Sequence, residues 1–256
     1  MSISAPEENA GNGARNGELL LSVHGLHVAY GKAEVVHGAS FEVRTGEFAV
    51  MLGRNGAGKS TILHAVSGLI PKLGGTVRFN GRDVTGANPT QVVQSGLIQV
   101  LQGHRVFTTL SVEDNLLIGT YAYAPRGDRK ALERIYSVFP ELVEARRKTA
   151  ARLSGGQQQI LAVAQGVIAR PRLLILDEPS AGLAPIVIDR ILAVAASLCK
   201  EEGLAILLVE QLVEKALRHA HWCYLVETGR IAGSGPAAKM HDSELLKRIY
   251  LGATGS

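Results

Sequence analysis

The stretch that most restricts what this chain can fold into is GRNGAGKS, residues 53–60. It follows the apolar run EFAVML and leads into a helical pattern, KSTILHAVSGLI. The spacing G-x-x-x-x-G-K-[ST] between a strand and a helix is that of a loop built to hold phosphate. Glycines let backbone N–H groups close around phosphate oxygens without Cβ clashes, and the helix N-terminus aims its dipole at the same anion. Gly53, Arg54, Asn55, Gly56, Ala57, Gly58, Lys59, Ser60 and Thr61 are therefore the expected segment for binding a nucleoside triphosphate. Within it, Lys59 supplies a mobile positive charge for the β- and γ-phosphates, and Ser60 a hydroxyl for Mg²⁺.

A loop of this kind belongs at the end of a parallel strand, and the rest of the pattern agrees. RLLILDE, bounded by Pro171 and Pro179, and GLAILLVE are continuous apolar runs suited to strands buried on both faces. Between them residues 185–202 read as a helix, with Pro185 near its start and Gly203 past its end. Alternation of such strands and helices indicates an α/β fold with a parallel sheet. Residues 19–50 instead show short alternating runs and turn signals, which predict β-strands. GTVRFNGRDV adds a hairpin in which Asn80-Gly81 fits a type I′ turn. Residues 103–153, helix-rich and charged, are expected to form a helical subdomain inserted into the core. Residues 1–18 and 253–256 are expected to be tails around one domain spanning 19–252.

Composition narrows the function classes. No apolar run approaches the roughly 20 residues needed to span a bilayer, and the polar, acidic start lacks the apolar centre of a signal peptide. The net charge is +4 without any Lys/Arg block interleaved with aromatics, so no nucleic-acid partner is expected. Cys199 and Cys223 lack metal-ligand spacing and read as buried reduced thiols. The expected location is cytoplasmic.

LLILDE ends in two acids. Asp177, at the carboxyl end of a buried strand, is placed to hold Mg²⁺ through water. Glu178 is the candidate for orienting and activating the water that attacks the γ-phosphate.

LSGGQQQI, residues 153–160, poses a puzzle. Ser154 can cap a helix whose apolar residues follow at helical spacing. Yet Gly155 and Gly156 in its first turn each cost about 1 kcal/mol relative to alanine. A helix start without bulky side chains can press bare N–H groups onto an anion, which suggests a second wall for the γ-phosphate. A start shaped only for packing is the alternative.

GRNGAGKST, LSGGQQQ and LLILDEP, in this order, resemble the ATP-binding cassette (ABC) family over roughly residues 19–252. The resemblance implies a P-loop NTPase core of RecA-like type, carrying an N-terminal antiparallel β-subdomain and an inserted helical subdomain. It implies that the triphosphate bound by residues 53–61 is ATP, and it implies head-to-tail dimers in which Ser154, Gly155, Gly156 and Gln157 of one copy face the phosphate loop of the other. It also places Tyr30 against adenine, and Gln102 at Mg²⁺ and the link to the helical subdomain. At three positions this chain departs from the family pattern: Ala184 replaces an interfacial aspartate, Gln165 an arginine, and Gln211 a histidine that contacts the γ-phosphate. A glutamine can donate a hydrogen bond but cannot take up a proton, so Gln211 is expected to position rather than to act as acid or base.

LVEQ and GLAP are similar to the ATPase subunit of branched-chain amino-acid importers, the LivF type. Expected partners are then membrane permease subunits, a second ATPase subunit (identical or different) and, indirectly, a periplasmic binding protein. The chain would sit peripherally on the inner face of the membrane. Importers of urea or short amides, and a soluble cassette ATPase outside transport, are the alternatives.

Overall fold

β3 (Phe48–Leu52, FAVML) has no exposed residue, as a strand covered on both faces requires. It lies in a six-stranded sheet of order β10-β9-β3-β8-β7-β6. The other members are β6 (Leu97–Val100), β7 (Leu173–Asp177), β8 (Ala205–Glu210), β9 (Trp222–Glu227) and β10 (Arg230–Pro236). All neighbours run parallel except β10, which turns back antiparallel on β9. The chain is seen in a computed structural model that describes residues 15–103, 105–121, 128–240 and 242–251.

The second sheet is antiparallel, with order β2-β1-β4-β5. It comprises β1 (Leu19–Tyr30), β2 (Ala33–Arg44), β4 (Gly74–Phe79) and β5 (Arg82–Asp83). The hairpin expected at Asn80-Gly81 is present: Phe79 pairs with Arg82, and both turn residues have positive φ, 50° and 74°. That is the geometry a type I′ turn demands.

The period-two alternation of β3 divides the core. Ala49 and Met51 join Leu21, Val23, Phe41, Ile62 and Tyr224 beneath the antiparallel sheet and α1 (Lys59–Val66). Phe48, Val50 and Leu52 face the other way, into a cluster with Leu161, Leu192 and Leu208. That cluster is covered by α5 (Gly155–Ile168) and α6 (Pro185–Glu202). The latter begins at Pro185 and is closed by Gly203 in a left-handed conformation, φ 68°. Between β6 and α5 lie α3 (Val112–Thr120) and α4 (Lys130–Val138). Gly119 of α3 comes so close to α5 that a Cβ there would lie 2.5 Å from the Gln165 carbonyl oxygen.

One expectation needs correction. Residues 15–18 were expected in the tail, yet Arg15 is clasped by the core. Its Nε and Nη2 donate to Glu47 at 2.8 and 2.6 Å, and Nη1 donates to the Tyr224 hydroxyl at 3.0 Å. Its guanidinium sits 4.4 Å from the Trp222 ring centroid. The physical reason is Glu47, a carboxylate 5% exposed, which needs a cation when withdrawn from water. The remainder of the expected N-terminal tail, residues 1–14, and the C-terminal tail at 253–256 lie outside the described residues. Among the described residues no helix is long and apolar enough to cross a membrane.

Candidate functional site

In parallel sheets the carboxyl ends of the strands open onto the ligand crevice. Here β3 delivers the phosphate loop to that edge, β7 delivers Asp177 and Glu178, and β8 delivers Glu210 and Gln211. Gln102 follows β6.

Gly56 and Gly58 take positive φ, 78° and 98°, which lets the loop turn back before α1. Lys59, 4% exposed, donates from Nζ to the carbonyl oxygens of Gly53 at 2.9 Å and Arg54 at 3.2 Å. The same Nζ is 3.4 Å from Glu178 Oε1. Ser60 Oγ donates to Asp177 Oδ1 at 2.9 Å, and Gln99 Nε2 reaches Asp177 Oδ2 at 3.4 Å. His64, one turn along α1, places Nε2 3.6 Å from Asp177 Oδ2. Burial raises the pKa of Asp177, while the Ser60 hydrogen bond and nearby His64 pull it down. A hydroxyl, one carboxylate and a neighbouring amide are hard oxygen donors of the number Mg²⁺ uses when it also binds substrate phosphates. Among the described residues no group of three or more His, Cys, Asp or Glu could hold a metal ion.

Glu178 gathers the site. Its backbone has φ 45°, unusual for a residue with a Cβ, and its N–H donates to the Val209 carbonyl at 2.9 Å. Gln102 Nε2 donates to Glu178 Oε2 at 3.2 Å, and Gln211 Nε2 donates to the same oxygen at 2.8 Å. Lys59 at the start of α1, Gln102 after β6 and Gln211 after β8 thus converge on one carboxylate.

Glu210 escaped the sequence reading. It is 1% exposed; Ser180 donates to it from N at 3.1 Å and from Oγ at 2.7 Å, and the Gln211 N–H donates at 3.1 Å. Burial raises its pKa despite those donors. The available signal was an acid closing a fully apolar run, LLVE, which needs partners once buried. Gln99 and His64 gave no comparable signal.

The remaining expected positions lie apart from this cluster. Ser154 caps α5: its Oγ accepts from Gln157 N at 3.3 Å, and Gln157 Oε1 accepts from Ser154 N at 3.0 Å. That reciprocal box leaves the N–H groups of Gly155 and Gly156 without a hydrogen-bond partner among the described residues. A Cβ on Gly156 would lie 2.9 Å from Val187 Cγ2, so packing also favours glycine there. Among the described residues no hydrogen bond or ion pair joins 154–157 to the phosphate loop. Tyr30 ends β1 half exposed. Gln165 Nε2 donates to the Asn115 carbonyl at 2.8 Å, fastening α5 to α3. Ala184 stands at the N-cap of α6 and offers no side-chain cap.

Comparison with known proteins places these features in a wider set. Residues 36–181 match the family model described as ABC transporter. The chain is 35% identical, over 91% of its length and all of the relative's, to the high-affinity branched-chain amino acid transport ATP-binding protein BraG of Pseudomonas aeruginosa. It is 32% identical to a probable branched-chain amino acid transport ATP-binding protein, LivF, of Archaeoglobus fulgidus, covering 89% of this chain and 96% of that one. Among solved structures it is similar to the ADP conformation of an ATP-binding cassette of an ABC transporter. The TM-score is 0.81 at 23% identity, over 92% of this chain and 99% of the other.

Proposed function

The chain belongs to the ABC transporter family as an ATP-hydrolysing, ATP-binding subunit, and on that premise we propose that it energises an importer of branched-chain or other hydrophobic amino acids. The observation that carries the catalytic part is the convergence of Lys59, Gln102 and Gln211 on Glu178. The cargo part is supported by relatives named for branched-chain amino acid transport that match along nearly the whole chain.

In this reading the backbone of residues 53–58 and the Lys59 ammonium bind the β- and γ-phosphates, Ser60 and Thr61 complete the loop, and Tyr30 stacks on adenine. Glu178 accepts a hydrogen bond from the attacking water and orients it in line with the γ-phosphate. Gln211 donates, positioning Glu178 and the phosphate without exchanging a proton. Ser60, Asp177 and Gln102 would hold Mg²⁺, which neutralises charge on the β- and γ-phosphate oxygens when bound. The free N–H groups of Gly155 and Gly156, with Ser154 and Gln157, form the opposite wall for the γ-phosphate of a second cassette, identical or different. Permease subunits in the membrane receive the motion, a periplasmic binding protein supplies cargo to them, and this chain lies at the cytoplasmic face. Nucleic acid has no part in it.

The test begins with Glu178→Gln in the presence of Mg²⁺. Size-exclusion with light scattering should show ATP driving monomer to dimer, while turnover is lost and ATP binding kept. A variant that still hydrolyses ATP at the wild-type rate would refute the role of Glu178. For the cargo, disrupting the chain in its native cell should lower uptake of labelled leucine. Unchanged leucine uptake with diminished urea uptake would transfer the reading to short amides.

A further inference from the structure

Gly53 opens the phosphate loop at the point where β3 leaves its ladder; Leu52 is the last residue paired with β8 and β9. The Gly53 carbonyl accepts from Lys59 Nζ at 2.9 Å. Its N–H donates to the hydroxyl oxygen of Tyr250 at 2.9 Å, across 197 residues of chain. Tyr250 lies in the last turn of α8 (Glu244–Leu251). A side chain at position 53 has no room, because a Cβ would lie 2.4 Å from the Val226 carbonyl oxygen.

The far end of the loop is held in a similar way. Gly229 N donates to the Ala57 carbonyl at 2.8 Å, and a Cβ on Gly229 would lie 1.9 Å from the Val35 carbonyl oxygen. The strand leading into that turn carries Glu227, whose Oε2 is 3.5 Å from Nη2 of Arg248 on α8. One helix therefore touches the start of the loop directly and the support of its end through Glu227.

We propose that Tyr250 is a positioning residue for ATP binding, its hydroxyl setting the Gly53 peptide and, through it, the anchor of Lys59. This rests on the reading that residues 53–61 hold ATP. The hydroxyl is not needed to dock the helix, since Leu246 and Ile249 bury the apolar face of α8. Burial pushes the phenol up to about 12, so it stays neutral and remains an acceptor for the amide across the working pH range. A neutral hydroxyl suits this place, because a charge there would compete with the phosphates for Lys59.

Three proteins test this: wild type, Tyr250→Phe and Leu246→Ala. Removing the hydroxyl should raise the Kd and KM for ATP about fivefold to tenfold, the range expected when a buried amide loses its one partner. kcat at saturation should stay within about twofold, a split that marks lost binding rather than lost chemistry. Leu246→Ala should lower Tm while leaving ATP affinity of the folded protein unchanged. Hydrogen exchange over residues 48–58 should speed up in Tyr250→Phe. Wild-type ATP affinity and unchanged exchange in Tyr250→Phe would overturn the proposal. Failure of the wild type to bind ATP would instead overturn the assignment of residues 53–61.

Discussion

Gly156→Ala separates the two reasons for a glycine at the start of α5. An added Cβ would lie 2.9 Å from Val187 Cγ2 and 3.3 Å from Cγ1, inside ordinary contact distance. Forcing a methyl into such a place costs about 1–3 kcal/mol. Against this, alanine is favoured over glycine in a helix by about 1 kcal/mol. The net is a loss of about 0–2 kcal/mol, or a fall in Tm of about 0–8 °C for a chain of this size. Val187→Ala removes the obstructing methyls, so the double variant should be about 1–2 kcal/mol more stable than the two single changes predict together. Catalysis should respond differently. If the Gly155 and Gly156 amides reach phosphate, a methyl beside them weakens hydrogen bonds to a charged group worth about 1.5–3 kcal/mol, or roughly 10–100-fold in turnover. Thermal unfolding and ATP turnover, measured on all four proteins assembled with their partner cassette, give the answer. Turnover should stay low in Gly156→Ala/Val187→Ala although the steric part of the stability loss is relieved. Recovery of both would mean that the glycine serves packing alone.

Two further outcomes follow from the geometry. Gln211→Ala removes the 2.8 Å donor to Glu178 Oε2 and should lower kcat about tenfold or more; unchanged turnover and ATP affinity in steady-state assays would show that Gln211 positions nothing. Arg15→Ala leaves Glu47, a carboxylate only 5% exposed, without its cation and with the Arg44 N–H as its remaining donor. Breaking a buried pair from one side costs about 3–5 kcal/mol, so Tm should fall by about 6–20 °C, with partial recovery in Arg15→Ala/Glu47→Gln. A shift below about 2 °C in a thermal melt would count against a stabilising clasp.

What was legible in the sequence was local. The phosphate loop announces itself by glycine spacing between an apolar run and a helix. Helix α6 shows its Pro185 and Gly203 boundaries, and Asn80-Gly81 carries its turn type within two residues. The Ser154 N-cap of α5 was equally readable, although the steric demand of Val187 on Gly156 was not. The partners that escaped are distant in the chain. Glu210 meets Ser180 across 30 residues, Arg15 meets Glu47 across 32 and Tyr224 across 209. Each is an ordinary polar residue whose meaning depends on being withdrawn from water, which only the assembled core decides.

The position of β3 also bears on how the protein is made. FAVML occupies the middle of the parallel sheet, yet both strands that flank it begin only at residues 205 and 222. At the usual 5–20 residues per second, a growing chain carries this apolar strand unpaired for roughly 10–30 s before its neighbours exist. During that interval its bare edges are open to other nascent chains or to chaperones. A message broken before codon 205 would yield no smaller ATP-binding module, only a fragment with an orphaned central strand. The nucleotide site thus arises late in translation, because the strand that carries its phosphate loop waits for β8 and β9 to give it neighbours.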